Sequence, residues 1–388
     1  MNPIQIKEGI YWVGGIDWNL RNFHGYLTQR GSSYNAYLII DEKITLIDAV
    51  KAHLAPEMIK RISAIIDPSK IDNIVVNHVE MDHSGALPEL MKLTPNATIY
   101  TSPKGEIGLR EHYHADWSFR PVESGTMLNI GRRNLHFVLT PMVHWPDNMV
   151  AYLPEEKILF SNDAFGQHLA SSERFDDEYP LDIIMLEARK YYANIVLPYS
   201  KQVQKALVGL QGLDIEIIAN SHGIIWRKHV SDILAAYQSW ASNETRKKAL
   251  VVYDTMWHST ERMALAVQEA FNKHGYVTSL LSLQTNHISD IMTEVIDSEY
   301  ICTGSPTLNG RMLPTMSAFL TYLTGLAPKD RKAIVFGSYG WGPKQIEEMA
   351  GMLNSSGFEV VTTEKLKYVP TENQLEELTQ RISDVISS

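Results

Sequence analysis

Cysteine is almost absent from this 388-residue chain: Cys302 is its one thiol. That excludes a disulfide framework, a cysteine-rich structural zinc site and an iron–sulfur centre held by four cysteines of this chain. No stretch approaches the roughly 18 consecutive apolar residues that a membrane-spanning helix needs. The first residues, Met-Asn-Pro-Ile-Gln-Ile-Lys, lack the basic-then-apolar order of a secretory signal, so a cytoplasmic location away from membranes is expected. Positive charge is in deficit as well. Lys and Arg number 35 against 45 Asp and Glu, a net charge of −10, and such a balance argues against a nucleic-acid partner. A Gly-x-Gly-x-x-Gly fingerprint is missing, which counts against a bound dinucleotide.

What is present is ordinary globular material, 44% apolar and 21% charged, in a length that predicts two domains. The polar run Ala241-Ser-Asn-Glu-Thr-Arg-Lys-Lys248 marks the boundary, giving domains over 1–245 and 249–388. In the second, apolar β-branched runs at 249–253, 276–283, 299–303, 332–336 and 358–363 alternate with helical patterns at 259–274, 288–296, 311–325, 343–355 and 372–386. That alternation predicts a five-stranded open parallel sheet covered by helices on both faces, with ligands at the carboxyl ends of its strands. The first domain has strand patterns at 36–40, 44–47, 71–76, 97–100, 135–139 and 157–160. Its helical patterns lie near 54–65, 85–92, 182–197, 200–211 and 229–241. Sheets packed between helices are expected there.

The strand at 71–76 runs into Asn77-His78-Val79-Glu80-Met81-Asp82-His83-Ser84-Gly85. His78 and Glu80 are two apart and face the same way on an extended chain. A turn into a helix starting near Gly85 can then bring Asp82 and His83 to the same point. Several buried polar side chains beside a core strand are costly without a shared partner, so the cluster reads as a metal site. His144, Asp163 and His222 each follow an apolar strand in the same manner. Four imidazoles and three carboxylates suit iron, although zinc also accepts these ligand types.

Together these strand-end loops resemble the metallo-β-lactamase superfamily, whose αββα sandwich gathers such loops around two metals. The pattern His78-Val-Glu80-Met-Asp82-His83 carries Glu where hydrolases of that fold carry His. With His144, Asp163 and His222 it resembles the flavodiiron proteins, or A-type flavoproteins, the family of rubredoxin:oxygen oxidoreductases and nitric oxide reductases. Asp17-Trp-Asn-Leu-Arg-Asn-Phe-His24, Tyr34-Asn-Ala-Tyr37, Leu159-Phe-Ser-Asn-Asp-Ala-Phe-Gly-Gln-His168 and Ser171-Ser-Glu-Arg-Phe-Asp-Asp177 extend the likeness over essentially the whole chain. The resemblance implies one iron on His78, Glu80 and His144 and another on Asp82, His83 and His222, with Asp163 bridging. The family counterpart of His83 can also be turned away from the metal. His24 and Tyr192 are expected beside the open face.

In the second domain the first strand runs into Thr255-Met256-Trp257-His258-Ser259-Thr260. Hydroxyls and backbone N–H groups at a helix start form a phosphate cradle that needs no cation. Two further loops converge on it: Thr303-Gly304-Ser305-Pro306-Thr307-Leu308-Asn309, and Gly337-Ser338-Tyr339-Gly340-Trp341-Gly342. Small residues there let the backbone approach a flat ring, and Trp257, Tyr339 and Trp341 can border it. The domain resembles a flavodoxin, which implies FMN with its phosphate at 255–260 and its ring between the other two loops. His258 is read either as an added phosphate contact or as a solvent-facing residue, and Cys302 as a small buried strand residue.

A flavin joined to two irons implies an oxidoreductase that takes dioxygen to water and/or nitric oxide to nitrous oxide. The resemblance further implies a head-to-tail homodimer, or a dimer of such dimers. One cysteine cannot hold a rubredoxin iron, so electrons are expected from a separate rubredoxin or, as in methanogen relatives, a deazaflavin cofactor. The competing readings are a zinc hydrolase with an attached flavodoxin domain, and an electron carrier whose metal is structural.

Overall fold

The computed structural model describes residues 2–326 and 328–387. Two compact units emerge, one of residues 1–24, 28–191 and 201–238, the other of residues 25–27, 192–200 and 239–388. The short segments 25–27 and 192–200 group with the second unit for a local reason. The Leu27 N–H donates to Ser289 Oγ at 3.1 Å, Asn194 Nδ2 to the Ser289 carbonyl at 3.0 Å, and the Tyr322 hydroxyl to Asn194 Oδ1 at 2.8 Å.

The first unit is built on two large sheets, beside a two-stranded one of Gly15–Asp17 and Ser32–Tyr34. One has seven strands in the spatial order Ile4–Lys7, Ile10–Trp12, Tyr37–Ile39, Thr45–Ile47, Asn73–Val75, Thr98–Thr101 and Ser118–Pro121. The other has five: Met127–Asn129, Asn134–Leu139, Met149–Leu153, Ile158–Asn162 and Ile217–Asn220. The two-residue period of the strands sorts their side chains into two cores. Leu38, Leu46, Ile74 and Ile99 stand in one cross-strand row and pack with Met58, Ile62, Leu87, Leu90 and Leu109 from the helices Ala55–Ser63, Leu87–Leu93 and Pro103–Tyr113. The alternate row Tyr37, Ile47, Val75 joins Phe137, Ala151, Phe160 and Ala219 between the two sheets. Burying each large apolar side chain of these rows stabilises the fold by about 1.5–3 kcal/mol. The arrangement is the αββα sandwich expected from the strand-end pattern.

The second unit is a single sheet in the order Val277–Ser282, Arg246–Tyr253, Ser298–Gly304, Lys332–Tyr339 and Glu359–Lys367, every neighbouring pair parallel. The helices Ser259–Lys273, Ile288–Val295, Pro314–Leu326, Lys344–Ser355 and Glu372–Ser387 follow the strands in turn. The first strand lies between the second and third, so the sheet changes winding direction beside Tyr253 and Gly304. Such a switch point opens a crevice for a ligand. No helix among the described residues is long and apolar enough to cross a membrane.

Candidate metal and flavin sites

Two residues past the strand Asn73–Val75 comes Asn77, whose backbone N–H and side-chain amide donate to the buried Asp48 carboxylate at 2.7 and 3.0 Å. Asn162 Nδ2 donates to the same carboxylate at 3.3 Å. Asp48 therefore braces two strand ends just before His78 and Asp163. The turn expected near Gly85 begins earlier: Met81–Ser84 is already helical, with Glu80 at its N-cap. A helical turn, rather than a free loop, presents Asp82 and His83.

The seven expected ligands come together. Ligand atoms of His78, Glu80, His144 and Asp163 lie within 4.8 Å of one another, as do those of Asp82, His83 and His222. Asp163 faces both groups. Its Oδ2 is 3.7 Å from His78 Nε2 and 3.2 Å from His144 Nε2, and its Oδ1 is 3.0 Å from His83 Nε2 and 3.2 Å from His222 Nε2. Glu80 Oε2 is 3.5 Å from both His78 and His144, and the Asp82 oxygens are 3.3 Å from His83 and His222. Neighbouring donors on one ion with bonds of about 2.1 Å are roughly 3 Å apart.

The orphaned atoms point the same way. His78 Nε2, both Asp82 oxygens, His83 Nε2 and both Asp163 oxygens are buried without a hydrogen-bond partner. Such a set is costly unless a cation satisfies it, so the residues fit a pair of metal ions. In the bare chain, burial pushes the His222 imidazole down, but Asp163 and Asp82 outweigh it and raise its pKa to about 10. For Asp163 burial acts upward, and the surrounding imidazoles overcome it, holding the carboxyl well below its usual range.

The groups outside the ligands are not alike. The His78 Nδ1–H donates to Asp147 Oδ2 at 2.8 Å, and the Val79 N–H donates to the same oxygen at 2.8 Å. The His222 Nδ1–H donates to the Ser33 carbonyl at 2.9 Å, whereas His83 Nδ1 is buried with no partner. His24 Nε2 is 3.1 Å from Glu80 Oε1, and its side chain is 74% exposed. A cavity of about 490 Å3 opens on this side, lined by Phe23, His24, Lys51, Glu80, His144 and Trp145 among others. Lys51 carries its ammonium 4.6 Å from the Phe23 ring centre and 4.9 Å from that of Tyr34. Burial pushes its pKa down, against the opposing pull of Asp82, Asp17 and Glu80.

The Tyr192 hydroxyl pairs with Ser200 Oγ at 2.9 Å and the Tyr192 ring lies against Trp240. Tyr191 instead sets its ring 5.8 Å from that of His222. Successive residues near a helix end point about 100° apart, so only one of two adjacent tyrosines can face the ligands.

In the second unit a cavity of about 240 Å3 is lined by Thr255, Met256, Trp257, Ser259, Pro306, Thr307, Ser338, Tyr339 and Gly340, all expected, together with Tyr368 and Val369. Thr255 Oγ1 and Thr303 Oγ1 are buried without partners, and Thr260 Oγ1 meets Ser338 Oγ at 3.0 Å, joining two of the loops. The unpaired Thr255 hydroxyl, in the loop that leads into the 15-residue helix Ser259–Lys273, fits a phosphate, and the cavity bordered by Trp257 and Tyr339 fits a flavin ring. Asp254, missed in the sequence, holds the cradle from beneath by accepting from the Thr255 N–H, Gln284 Nε2 and the Thr315 hydroxyl.

Several expected contacts resolve differently. His258 is a left-handed N-cap residue whose Nδ1 pairs with Glu261 at 2.6 Å, which makes it the solvent-facing alternative rather than the phosphate contact. Gly304 is small for packing: a Cβ there would meet the Phe336 ring at 2.2 Å. The Ser305 hydroxyl is held by Leu313 N and the Pro306 carbonyl. Asn309 is an exposed turn residue with φ of 51°. Trp341 and Gly342 lie outside the residues lining the cavity, Trp341 being 92% exposed. Tyr368 follows the fifth strand, Glu359–Lys367, outside the three loops that the sequence marks. Its backbone N–H donates to the Tyr339 carbonyl at 2.7 Å, which folds it back over Gly340. Cys302 is buried within the third strand, as expected.

Known proteins share both halves of this arrangement. The family model described as ODP family beta lactamase matches residues 33–223, and the Flavodoxin model matches residues 251–381. A curated rubredoxin-oxygen oxidoreductase of Megalodesulfovibrio gigas is 41% identical, over 97% of this chain and 96% of its own. A nitric oxide reductase of Moorella thermoacetica is 46% identical, over 88% of this chain and 86% of its own. Among solved structures, the rubredoxin oxygen:oxidoreductase of Desulfovibrio gigas superposes with a TM-score of 0.95 at 39% identity, covering all of both chains. The flavodiiron protein of Giardia intestinalis gives a TM-score of 0.95 at 36% identity, covering 99% and 96%. With relatives this similar along their whole length, and with a two-metal ligand set and a flavin cradle on one polypeptide, the chain belongs to the flavodiiron protein family.

Proposed function

We propose that this chain reduces dioxygen to water and/or nitric oxide to nitrous oxide, drawing electrons through a flavodoxin-like unit. The observation that carries the reading is the convergence of seven ligand side chains into two groups that share Asp163. In this assignment His78, Glu80 and His144 hold one iron, Asp82, His83 and His222 hold the other, and Asp163 spans them. Thr255, Ser259, Thr260 and Thr303 hold the phosphate end of FMN, with Trp257, Tyr339 and Tyr368 around its ring. Bound there, the irons supply Lewis acidity and exchangeable electrons, and FMN supplies electrons singly or in pairs.

The chain's own groups shape the rest. The opening at Phe23, His24 and Trp145 admits a small molecule to the ligand side. The exposure of His24 and its contact with Glu80 support a role for it in carrying protons from solvent. The Lys51 ammonium adds positive charge to a pocket wall that also carries the Glu80 and Asp82 carboxylates. Residues 1–245 serve as the metal domain and 249–388 as the flavin domain. Rubredoxin, named for the M. gigas relative, is the proposed donor. A cytoplasmic head-to-tail dimer, alone or paired into a tetramer, is the proposed assembly, because electron transfer needs flavin and metals close together.

The test is anaerobic delivery of reduced rubredoxin to the purified protein, followed by measured additions of dioxygen or nitric oxide. Consumption of either, lost in Glu80→Ala while flavin is retained, is the expected result. Full activity in Glu80→Ala would refute the ligand assignment, and no consumption of either gas by iron-loaded protein would refute the function.

A further inference from the structure

Among the ligand histidines, His78 of the first group differs from His83 and His222 of the second in what holds its outer nitrogen. In the first group His78 donates to a carboxylate. Asp147 is 3% exposed, and its Oδ2 accepts at 2.8 Å both from the His78 ring and from the backbone N–H of Val79. In the second group His222 donates to a neutral carbonyl, that of Ser33, and His83 Nδ1 has no hydrogen-bond partner. A charge-assisted bond to a carboxylate fixes the ring's tautomer and makes its inner nitrogen a stronger donor than a carbonyl does.

Asp147 also belongs to the loop that supplies His144. That loop is braced by the Ser102 hydroxyl on the Asp147 carbonyl at 2.6 Å, and by the Trp145 N–H on Asn148 Oδ1 at 2.6 Å. One side chain thus ties together the strand end bearing His78 and the loop bearing His144, two ligands assigned to the same ion. Nothing comparable links Asp82, His83 and His222 among the described residues.

We propose that Asp147 is a positioning residue for one half of the metal pair. Its carboxylate keeps His78 protonated at Nδ1 and bare at Nε2, so that the ion at His78, Glu80 and His144 is held more tightly than the ion at Asp82, His83 and His222. This rests on the two-iron reading. Loss of such an outer carboxylate weakens metal affinity by roughly 10- to 100-fold in comparable sites.

The experiment compares wild type, Asp147→Asn and Ser102→Ala, each loaded with ferrous iron anaerobically and challenged with a graded iron chelator. Iron per chain is read by elemental analysis, and Mössbauer spectra report each iron separately. Wild type should release one iron before the other. Asp147→Asn keeps the shape and removes the charge. It should bind one iron at least about tenfold more weakly, change one Mössbauer component only, and keep wild-type FMN content. Ser102→Ala, which removes the brace on the Asp147 carbonyl but keeps the carboxylate, should weaken the same iron by less than Asp147→Asn does.

Wild-type affinity at both sites in Asp147→Asn would overturn the proposal. So would equal weakening of both irons, or a Ser102→Ala variant that copies Asp147→Asn. Wild type that takes up no iron would instead overturn the two-iron reading itself. Should Asp147→Asn fail to fold, the wild-type release curve still decides: two irons leaving together contradict the proposed asymmetry.

Discussion

The two sites of this chain are built from different materials. The metal site consists of side-chain atoms, almost all buried, with the partner-seeking ends of three carboxylates and four imidazoles gathered within a few ångströms. The flavin cavity consists of loop backbone, hydroxyls and half-exposed aromatics, with Trp257 84% exposed at its rim. The first is a cluster of costs that only cations relieve. The second is a shape, and its polar requirement is confined to a few hydroxyls such as those of Thr255 and Thr303. A side-chain site of this kind should fail as a unit when one member is lost, whereas a site of shape and shared hydrogen bonds should weaken by degrees.

Asp163→Ala tests the first half most severely. Asp163 faces both ligand groups, so its loss should reduce bound iron from about two per chain to near zero by elemental analysis while the flavin absorbance is unchanged. Retention of one tightly held iron would show that the groups are independent and Asp163 dispensable to one. Next in size is Gly337→Ala. A Cβ there would meet the Ser305 carbonyl oxygen at 2.0 Å, a backbone contact that cannot swing aside, and overpacking of this kind costs about 1–3 kcal/mol. Denaturant unfolding should register that loss along with weaker FMN binding, with iron content unchanged. An unchanged midpoint would mean the loop relaxes freely.

A smaller effect sharpens the contrast. Thr255→Val removes a buried hydroxyl that has no protein partner. FMN affinity, read by fluorescence quenching, should fall roughly tenfold, about 1.4 kcal/mol. Equal affinity would remove Thr255 from the cradle. Smallest of all is Tyr192→Phe, which deletes the bond to Ser200 and should change stability by about 1 kcal/mol or less. Reductase turnover should be unaffected, and a large fall in turnover would return Tyr192 to the metal site.

The same contrast governs what could be read from the sequence. His78, Glu80, Asp82 and His83 were legible because four ligand types crowd the end of an apolar strand. His144, Asp163 and His222 were legible because each repeats that grammar. Asp147 sits in the run His144-Trp145-Pro146-Asp147, yet nothing distinguishes it there from a loop cap, since its partner His78 is 69 residues away. The neighbours Tyr191 and Tyr192 differ in facing through helical phase, where the α-helix passes into a π turn, and spacing does not encode that. In the flavin unit the βα alternation located three loops correctly. Which residues of those loops meet the cavity depends on local hydrogen bonds such as His258 to Glu261, which spacing does not encode. Tyr368 escaped notice because it follows the fifth strand, outside the switch point, and reaches the cavity through a single backbone bond to Tyr339.

The most direct test of the whole account is the metal and flavin content of freshly purified protein, by elemental analysis and by the spectrum of the released flavin. About two irons and one FMN per chain is the result this account predicts. Zinc in place of iron, with no flavin, would contradict it and point to hydrolysis by a metallo-β-lactamase fold with an idle flavodoxin-like unit.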